Sequence, residues 1–280
     1  MKKPILLLSI LLLLVVRAFP QAPAYEIYAL RFASMKDATP TEVWSLNAPK
    51  GDSVKIDFVI WLIKGSNGKN ILVDAGFLSD IPEAKEFNPV NYIRPDSALL
   101  KLGIRPESIT DIIFSHPHWD HIDGVDLFPK AHIWLQKQDY NYFVSKAEPA
   151  ENSGFNKRDI AKMVALNRAG KVRLVDGDNQ QLMPGITVFT GSRHTFNSQY
   201  VQVKTGTDRV ILASDNIWIY YSLEHMVPAS LGGTLDPEGY VKAMQRMKTL
   251  ASDVKYIIPG HDHQMFLRFP AVMDGVLRIK

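Results

Sequence analysis

The chain has 280 residues, 46% apolar and 22% charged, enough to bury a substantial core as one large α/β domain, and no Pro/Gly-rich linker divides it. It contains no cysteine, which excludes disulfides and thiolate ligands, so any metal has to be held by nitrogen and oxygen. The formal charge of +3 owes everything to the first 24 residues: without Lys2, Lys3 and Arg17, 29 basic residues face 29 acidic ones, and a neutral chain has no electrostatic footprint for nucleic acid or an anionic membrane.

Met1-Lys2-Lys3 ahead of the apolar run Ile5 to Val16 reads as an export signal, because the run has 12 residues where a membrane-spanning helix needs roughly 20. Ala22-Pro23-Ala24 places small residues at A-x-A spacing, so cleavage is expected near Ala24, with Ala18 as an alternative and an uncleaved anchor as the competing reading. No cysteine follows the run, which excludes a lipid-anchored form. The expectation is a signal peptide over 1–24 and a domain over 25–280, periplasmic or secreted, with no stable membrane anchor and no nucleic-acid partner.

Val54 to Lys64 and Ile71 to Asp74 are β-rich runs joined by Gly65-Ser66-Asn67-Gly68, which is hairpin chemistry, and they end at Asp74-Ala75-Gly76. Pro95-Asp96 opens a helical stretch to about Leu102, and Asp111 to Ser115 is a buried strand running straight into His116. His132 to Leu135 is strand-like. Glu148 to Gly154 is a polar loop, and Asn156 to Ala169 is amphipathic, with Ile160, Met163, Val164 and Leu166 on one side; it reads either as an outer helix or as a lid. Ile186 to Thr190, Tyr200 to Lys204 and Val210 to Ser214 are short strands. Pro237 to about Ala251 has helical apolar spacing with Asp236 as N-cap, and the strand Tyr256 to Ile258 stops at Pro259-Gly260-His261. Both halves deliver His or Asp from strand ends, which suggests two sheets packed face to face with helices outside.

His116-Pro117-His118-Trp119-Asp120-His121 puts three imidazoles and a carboxylate within six residues. In an extended segment His116 and His118 share a face, and Asp120 and His121 follow round a turn, so one loop can serve two metal ions about 3.5–4 Å apart. Nitrogen and oxygen donors suit borderline divalent cations such as zinc. Each ion needs three or four ligands, and His194, Asp215 and His261, each just beyond a predicted strand, complete the number. His132 reads as structural, while His225 and His263 read either as groups that orient a ligand or as surface residues.

This pattern resembles the metallo-β-lactamase superfamily, whose order is H-x-H-x-D-H, a His, a bridging Asp and a final His. The resemblance covers nearly the whole chain from the strands around Asp74 to Gly260-His261-Asp262, and it implies a four-layered αββα sandwich. It further implies that His116, His118 and His194 hold one metal ion and Asp120, His121 and His261 the other. Asp215 would bridge both, and zinc is the expected metal.

Within that superfamily the stretch from Asp215 through Val227-Pro228, Leu235-Asp236-Pro237-Glu238 and Gly260-His261-Asp262 is similar to the N-acyl-homoserine lactonases. The resemblance implies that a metal-bound hydroxide opens the lactone ring of N-acyl-homoserine lactones, with Asp120 passing a proton to the leaving oxygen and Asp215 bridging. Those enzymes have a tyrosine three residues after the bridging aspartate, which hydrogen-bonds the substrate carbonyl; here that residue is Trp218, so Tyr220 or Tyr221 is the expected catalytic replacement. The expected substrate contacts are Trp119, Trp218, Tyr220 and Tyr221, drawn from a wider apolar set with Tyr140, Tyr142, Phe143, Phe155 and Met163. A secreted phosphotriesterase of the methyl-parathion-hydrolase kind is the alternative, and an exported metal-binding protein without catalysis is the non-enzymatic one. The acyl chain length and the oligomeric state are left open.

Overall fold

The computed structural model describes residues 23–146, 153–230 and 232–280; the expected export signal as far as Ala22 and the polar loop over 148–152 lie outside them. In chain order the elements are β1 (Tyr25–Ser34), β2 (Thr39–Pro40), β3 (Ser53–Val54), β4 (Asp57–Gly65), β5 (Asn70–Val73), α1 (Pro82–Phe87), α2 (Pro95–Leu100), β6 (Ile109–Ile113), α3 (Trp119–Ile122), β7 (His132–Gln136), α4 (Lys137–Val144) and α5 (Lys157–Arg168). They continue with β8 (Val172–Val175), β9 (Gln180–Met183), β10 (Ile186–Thr190), β11 (Gln199–Thr205), β12 (Asp208–Ser214), α6 (Tyr220–His225), α7 (Pro237–Leu250), β13 (Ile257–Pro259), α8 (Met265–Arg268), β14 (Ala271–Met273) and β15 (Val276–Arg278).

The strands form an eight-stranded sheet, β14-β15-β1-β4-β5-β6-β7-β8, and a five-stranded sheet, β13-β12-β11-β10-β9. Strands such as β4 are apolar on both faces because both faces are covered. Ile27, Ala29, Trp61, Ile63 and Val73 of the large sheet share one core with Val201, Val203, Val210 and Leu212 of the small one. The Tyr25 N–H donates to Thr205 Oγ1 at 3.0 Å, which ties β1 to the same face of β11. On the other side Leu30, Ile60 and Leu62 pack with Leu99 of α2, Phe143 of α4, and Ile160 and Met163 of α5. The far face of the small sheet is covered by α7, whose Tyr240, Ala243, Met244 and Met247 are buried. The result is helix, sheet, sheet, helix: the four-layered αββα sandwich.

Most expected elements fall within a residue or two of their places. The Gly65–Gly68 turn pairs β4 with β5, Asp236 Oδ1 caps α7 by accepting from Gly239 N–H at 2.9 Å, and Asn156 caps α5. The amphipathic stretch is an outer helix, since Ile160 and Met163 point into the core under the large sheet. The run from Val54 to Lys64 is not one strand: Val54 pairs in β3 with β2, and Val54 and Ile56 pack on Ile219 in a separate apolar cluster. The sequence reading assigned no strand before Val54 or after Ile258, yet β1 lies in the middle of the large sheet between β15 and β4.

Strand direction builds the site. β5 and β6 are parallel and β4 is antiparallel to β5, so the start of β4 and the ends of β5 and β6 share one edge. β10 and β12 both run antiparallel to β11 and β13 runs parallel to β12, so the ends of β10, β12 and β13 share another. The two edges are stitched together where Gln199 N–H donates to Ser115 O at 2.8 Å.

Candidate metal centre

All seven side chains of the expected ligand set converge at these edges. His116, His118 and Asp120-His121 follow β6, the last two on the short α3; His194 follows β10, Asp215 follows β12 and His261 follows β13. His194 Nε2 and His118 Nδ1 are 3.0 Å apart. Asp215 Oδ2 is 3.3 Å from His194 Nε2 and 3.9 Å from His116 Nε2. Its other oxygen, Oδ1, is 3.0 Å from His261 Nε2 and 3.5 Å from His121 Nε2. Asp120 Oδ2 completes the second cluster, 3.3 Å from His121 Nε2 and 3.5 Å from His261 Nε2. One carboxylate therefore faces two clusters with different oxygens. Gly260 makes this approach feasible, because a Cβ there would lie 2.5 Å from Asp215 Oδ1.

Four of the imidazoles are aimed from behind through Nδ1. His194 donates to Gly233 O at 2.8 Å, His261 to Asp57 O at 3.1 Å and His121 to Asp74 Oδ2 at 2.9 Å, while His116 Nδ1 lies 2.8 Å from Ser115 Oγ. Asp74 Oδ2 also accepts from Ser115 Oγ and Ser214 Oγ, each at 2.9 Å, and its Oδ1 accepts from Ser115 N–H at 2.8 Å. Such backing hydrogen bonds fix tautomer and ring orientation in metal sites. Asp74 and Ser214 hold left-handed φ values of +62° and +47°, a strain of about 1–3 kcal/mol each, of the kind that clusters at functional sites. None of Asp57, Asp74, Ser115, Ser214 or Gly233 was read from the sequence as part of the site. An acid inside the apolar run Val54 to Lys64, at Asp57, was the one available signal.

Burial pushes His116 and His194 below the usual imidazole range and His118 down to about 3, so their lone pairs are free at neutral pH. Burial would raise Asp215, but His261 and His121 outweigh it and hold the carboxyl well below the ordinary range. Burial opposes charge on His121, and Asp120, Asp215 and Asp74 overcome it and raise that imidazole. His116 Nε2, His121 Nε2 and Asp215 Oδ1 are buried without a hydrogen-bond partner. Buried polar atoms left unpaired cost stability unless something satisfies them, and convergent nitrogen and oxygen lone pairs are what a divalent cation satisfies. The residues fit two metal positions, His116/His118/His194 and Asp120/His121/His261, joined by Asp215.

The remaining expected site residues divide. Trp119 is 6% exposed and packs on Phe77 and Phe87 at 4.9 and 5.4 Å between ring centroids. Trp218 lies against His194 at 5.3 Å, but its indole N–H donates to Asp215 Oδ2 at 2.8 Å and is not free for a substrate carbonyl. Tyr220 and Tyr221 are not brought to the cluster. They open α6, where Tyr220 is buried in the core under the Arg268 guanidinium and Tyr221 stacks on His225 at 4.1 Å. Tyr140, Phe143 and Met163 are core residues, whereas Phe155 packs on His118 at 5.7 Å and Tyr142 stacks on Phe196 at 4.9 Å. His132 is exposed, and His263 reaches the site at one remove, its Nδ1 2.7 Å from Asp57 Oδ2.

Comparison with known proteins agrees with this geometry. The N-acyl homoserine lactonase AiiB of Agrobacterium fabrum (strain C58 / ATCC 33970) is 24% identical over 182 residues, 63% of this chain and 65% of that one. An N-acyl homoserine lactonase of Bacillus thuringiensis is 25% identical over 166 residues, 59% of this chain and 60% of that one; the matches thus span somewhat less than two thirds of these relatives. Among solved structures, an N-acyl homoserine lactone hydrolase with N-hexanoyl-L-homoserine bound at its catalytic metal center superposes with a TM-score of 0.70 at 21% identity, covering 89% of this chain and 98% of that one. AidC, a dizinc quorum-quenching lactonase in complex with a product, gives 0.62 at 18% identity, covering 86% and 88%. The Metallo-beta-lactamase superfamily profile matches residues 59–261, which hold every one of the seven convergent ligands, and the chain belongs to that superfamily.

Proposed function

We propose that the chain is a two-metal hydrolase that opens the ring of N-acyl-homoserine lactones to give N-acyl-homoserines. The observation that carries the two-metal reading is Asp215, whose two oxygens face two separate groups of imidazoles. The lactonase relatives and the likeness to product-bound lactonase structures support the substrate class. His116, His118 and His194, with Asp120, His121 and His261 and the Asp215 carboxylate between them, would hold a pair of divalent cations, zinc by the donor set, which when bound would supply activated water at neutral pH and polarisation of a carbonyl oxygen.

The chain's own residues have three tasks. Asp57, Asp74, Ser115 and Gly233 hold the imidazoles in place before any ligand arrives, which lowers the reorganisation that catalysis would otherwise require. Asp120 is the less buried of the two central carboxylates. Burial would raise it, but His121 and His261 outweigh that and hold it below the ordinary range, so it is an ionised base placed to take the proton of the attacking water and return it to the ring oxygen as the acyl–oxygen bond breaks. Phe87, exposed and packed on Trp119, offers apolar surface to an acyl tail, worth up to about 0.8 kcal/mol for each methylene buried. Export to the periplasm or beyond is also proposed, resting on residues 1–24.

The test is turnover of a panel holding acyl-homoserine lactones, simple lactones, phosphotriesters and a cephalosporin by zinc-loaded protein. The expected result is the highest kcat/KM on the acyl-homoserine lactones, rising with chain length. Preference for the phosphotriesters would replace this reading with the phosphotriesterase one.

A further inference from the structure

The residue three positions after Asp215 turns its indole onto the Asp215 carboxylate itself. Trp218 Nε1 donates to Asp215 Oδ2 at 2.8 Å, the oxygen that faces His116 and His194, while Oδ1 on the His121/His261 side has no hydrogen-bond partner. The indole is packed on more than one side. Trp44 packs edge-on against it at 5.2 Å, and Trp44 is itself fixed by donating to Thr39 Oγ1 at 2.6 Å. On the opposite side the backbone of Gly233 lies so close that a Cβ there would be 2.4 Å from Trp218 Cζ3. The same Gly233 supplies the carbonyl that orients His194. The backbone N–H of Trp218 donates to Tyr240 Oη at 3.0 Å.

We infer that Trp218 is a positioning residue for the metal centre: its indole N–H fixes the rotation of the Asp215 carboxylate so that one oxygen serves each metal position, and it acts chiefly on the position formed by His116, His118 and His194. The inference rests on the two-metal reading above. A carboxylate oxygen has lone pairs for both an N–H donor and a cation, so the indole does not displace the ion. It removes the freedom of Asp215 to swing toward the His121/His261 side. The contact also commits the only N–H of the Trp218 side chain, so carbonyl polarisation is left to the metal ions.

The test measures stepwise zinc affinities by chelator competition, with thermal unfolding to verify the fold, for wild type, Trp218→Phe and Trp44→Phe. It adds a chain carrying β-(3-benzothienyl)alanine at position 218, which keeps the bicyclic shape and replaces N–H by sulfur. Losing a hydrogen bond that backs a metal ligand typically costs ten- to a hundredfold in metal affinity. The expected result is that fold loss for one of the two ions in Trp218→Phe and in the benzothienyl chain, with the other ion within threefold of wild type and Trp44→Phe within threefold for both. If Trp218→Phe does not fold, the benzothienyl chain decides. Both zinc affinities within threefold of wild type in that chain would overturn the inference and leave Trp218 a packing residue. A wild-type chain that takes up one zinc ion would instead overturn the two-metal reading beneath it.

Discussion

At the scale of single residues, Asp215 is the group on which the two clusters depend, because among the described residues it is the carboxylate that reaches both. Asp215→Ala is expected to lose metal and catalysis together, leaving well under one tenth of the zinc-dependent turnover and fewer than two ions per chain by elemental analysis. A variant that kept both ions and near-normal turnover would remove the bridge. The ligands themselves were legible because four of the seven lie within six residues, where spacing and residue type speak together. Their supports were not. Asp74 and Ser115 are ordinary turn and strand-end residues in sequence, and only the pairing of β5 with β6 reveals that Ser115 N–H and Oγ meet the Asp74 carboxylate. The places of Tyr220 and Tyr221 were not legible either, because both open α6, where Tyr220 is buried under Arg268 and Tyr221 stacks on His225.

At the scale of elements, the loop after β10 has to deliver His194, and α4 holds it. Asp139 of α4 accepts from Thr195 Oγ1 at 2.6 Å and from Asn197 N–H at 3.1 Å. Burial pushes this carboxyl from 3.8 up to about 6, against the pull of those donors. A carboxyl raised in the folded state binds its proton more tightly there than in the unfolded chain. Its stabilising contribution is therefore complete below about pH 4 and is lost as pH rises through about 6. A displacement from 3.8 to about 6 corresponds to roughly 3 kcal/mol. Between pH 4 and 7, denaturant unfolding is expected to show wild type losing up to that much stability relative to Asp139→Asn; parallel pH profiles for the two would show that Asp139 is not the titrating group. None of this was legible, since Asp139 sits one residue before Tyr140 in a helix the sequence reading left unassigned.

At the scale of the whole molecule, the layer order followed from strands that end in His or Asp and from helices with apolar stripes. The extent of the large sheet did not. β1 and β15 are distant in sequence, and their antiparallel pairing, with Ala29 opposite Leu277, closes the sheet by a contact that no local pattern announces. Leu277 is 1% exposed and lies in the core between the sheets, so Leu277→Ala is expected to cost about 2–5 kcal/mol. Urea unfolding that showed less than about half a kilocalorie would mean that the C-terminal strands are peripheral.

The reaction proposed for this site is attack of water on the carbonyl carbon of an N-acyl-homoserine lactone. Its most direct measurement is mass spectrometry of the product formed from an N-acyl-homoserine lactone by the zinc-loaded enzyme in ¹⁸O-water. The expected product is N-acyl-homoserine carrying one ¹⁸O in its carboxylate and none in its hydroxyl. Label in the hydroxyl, or a fatty acid together with intact homoserine lactone, would contradict it.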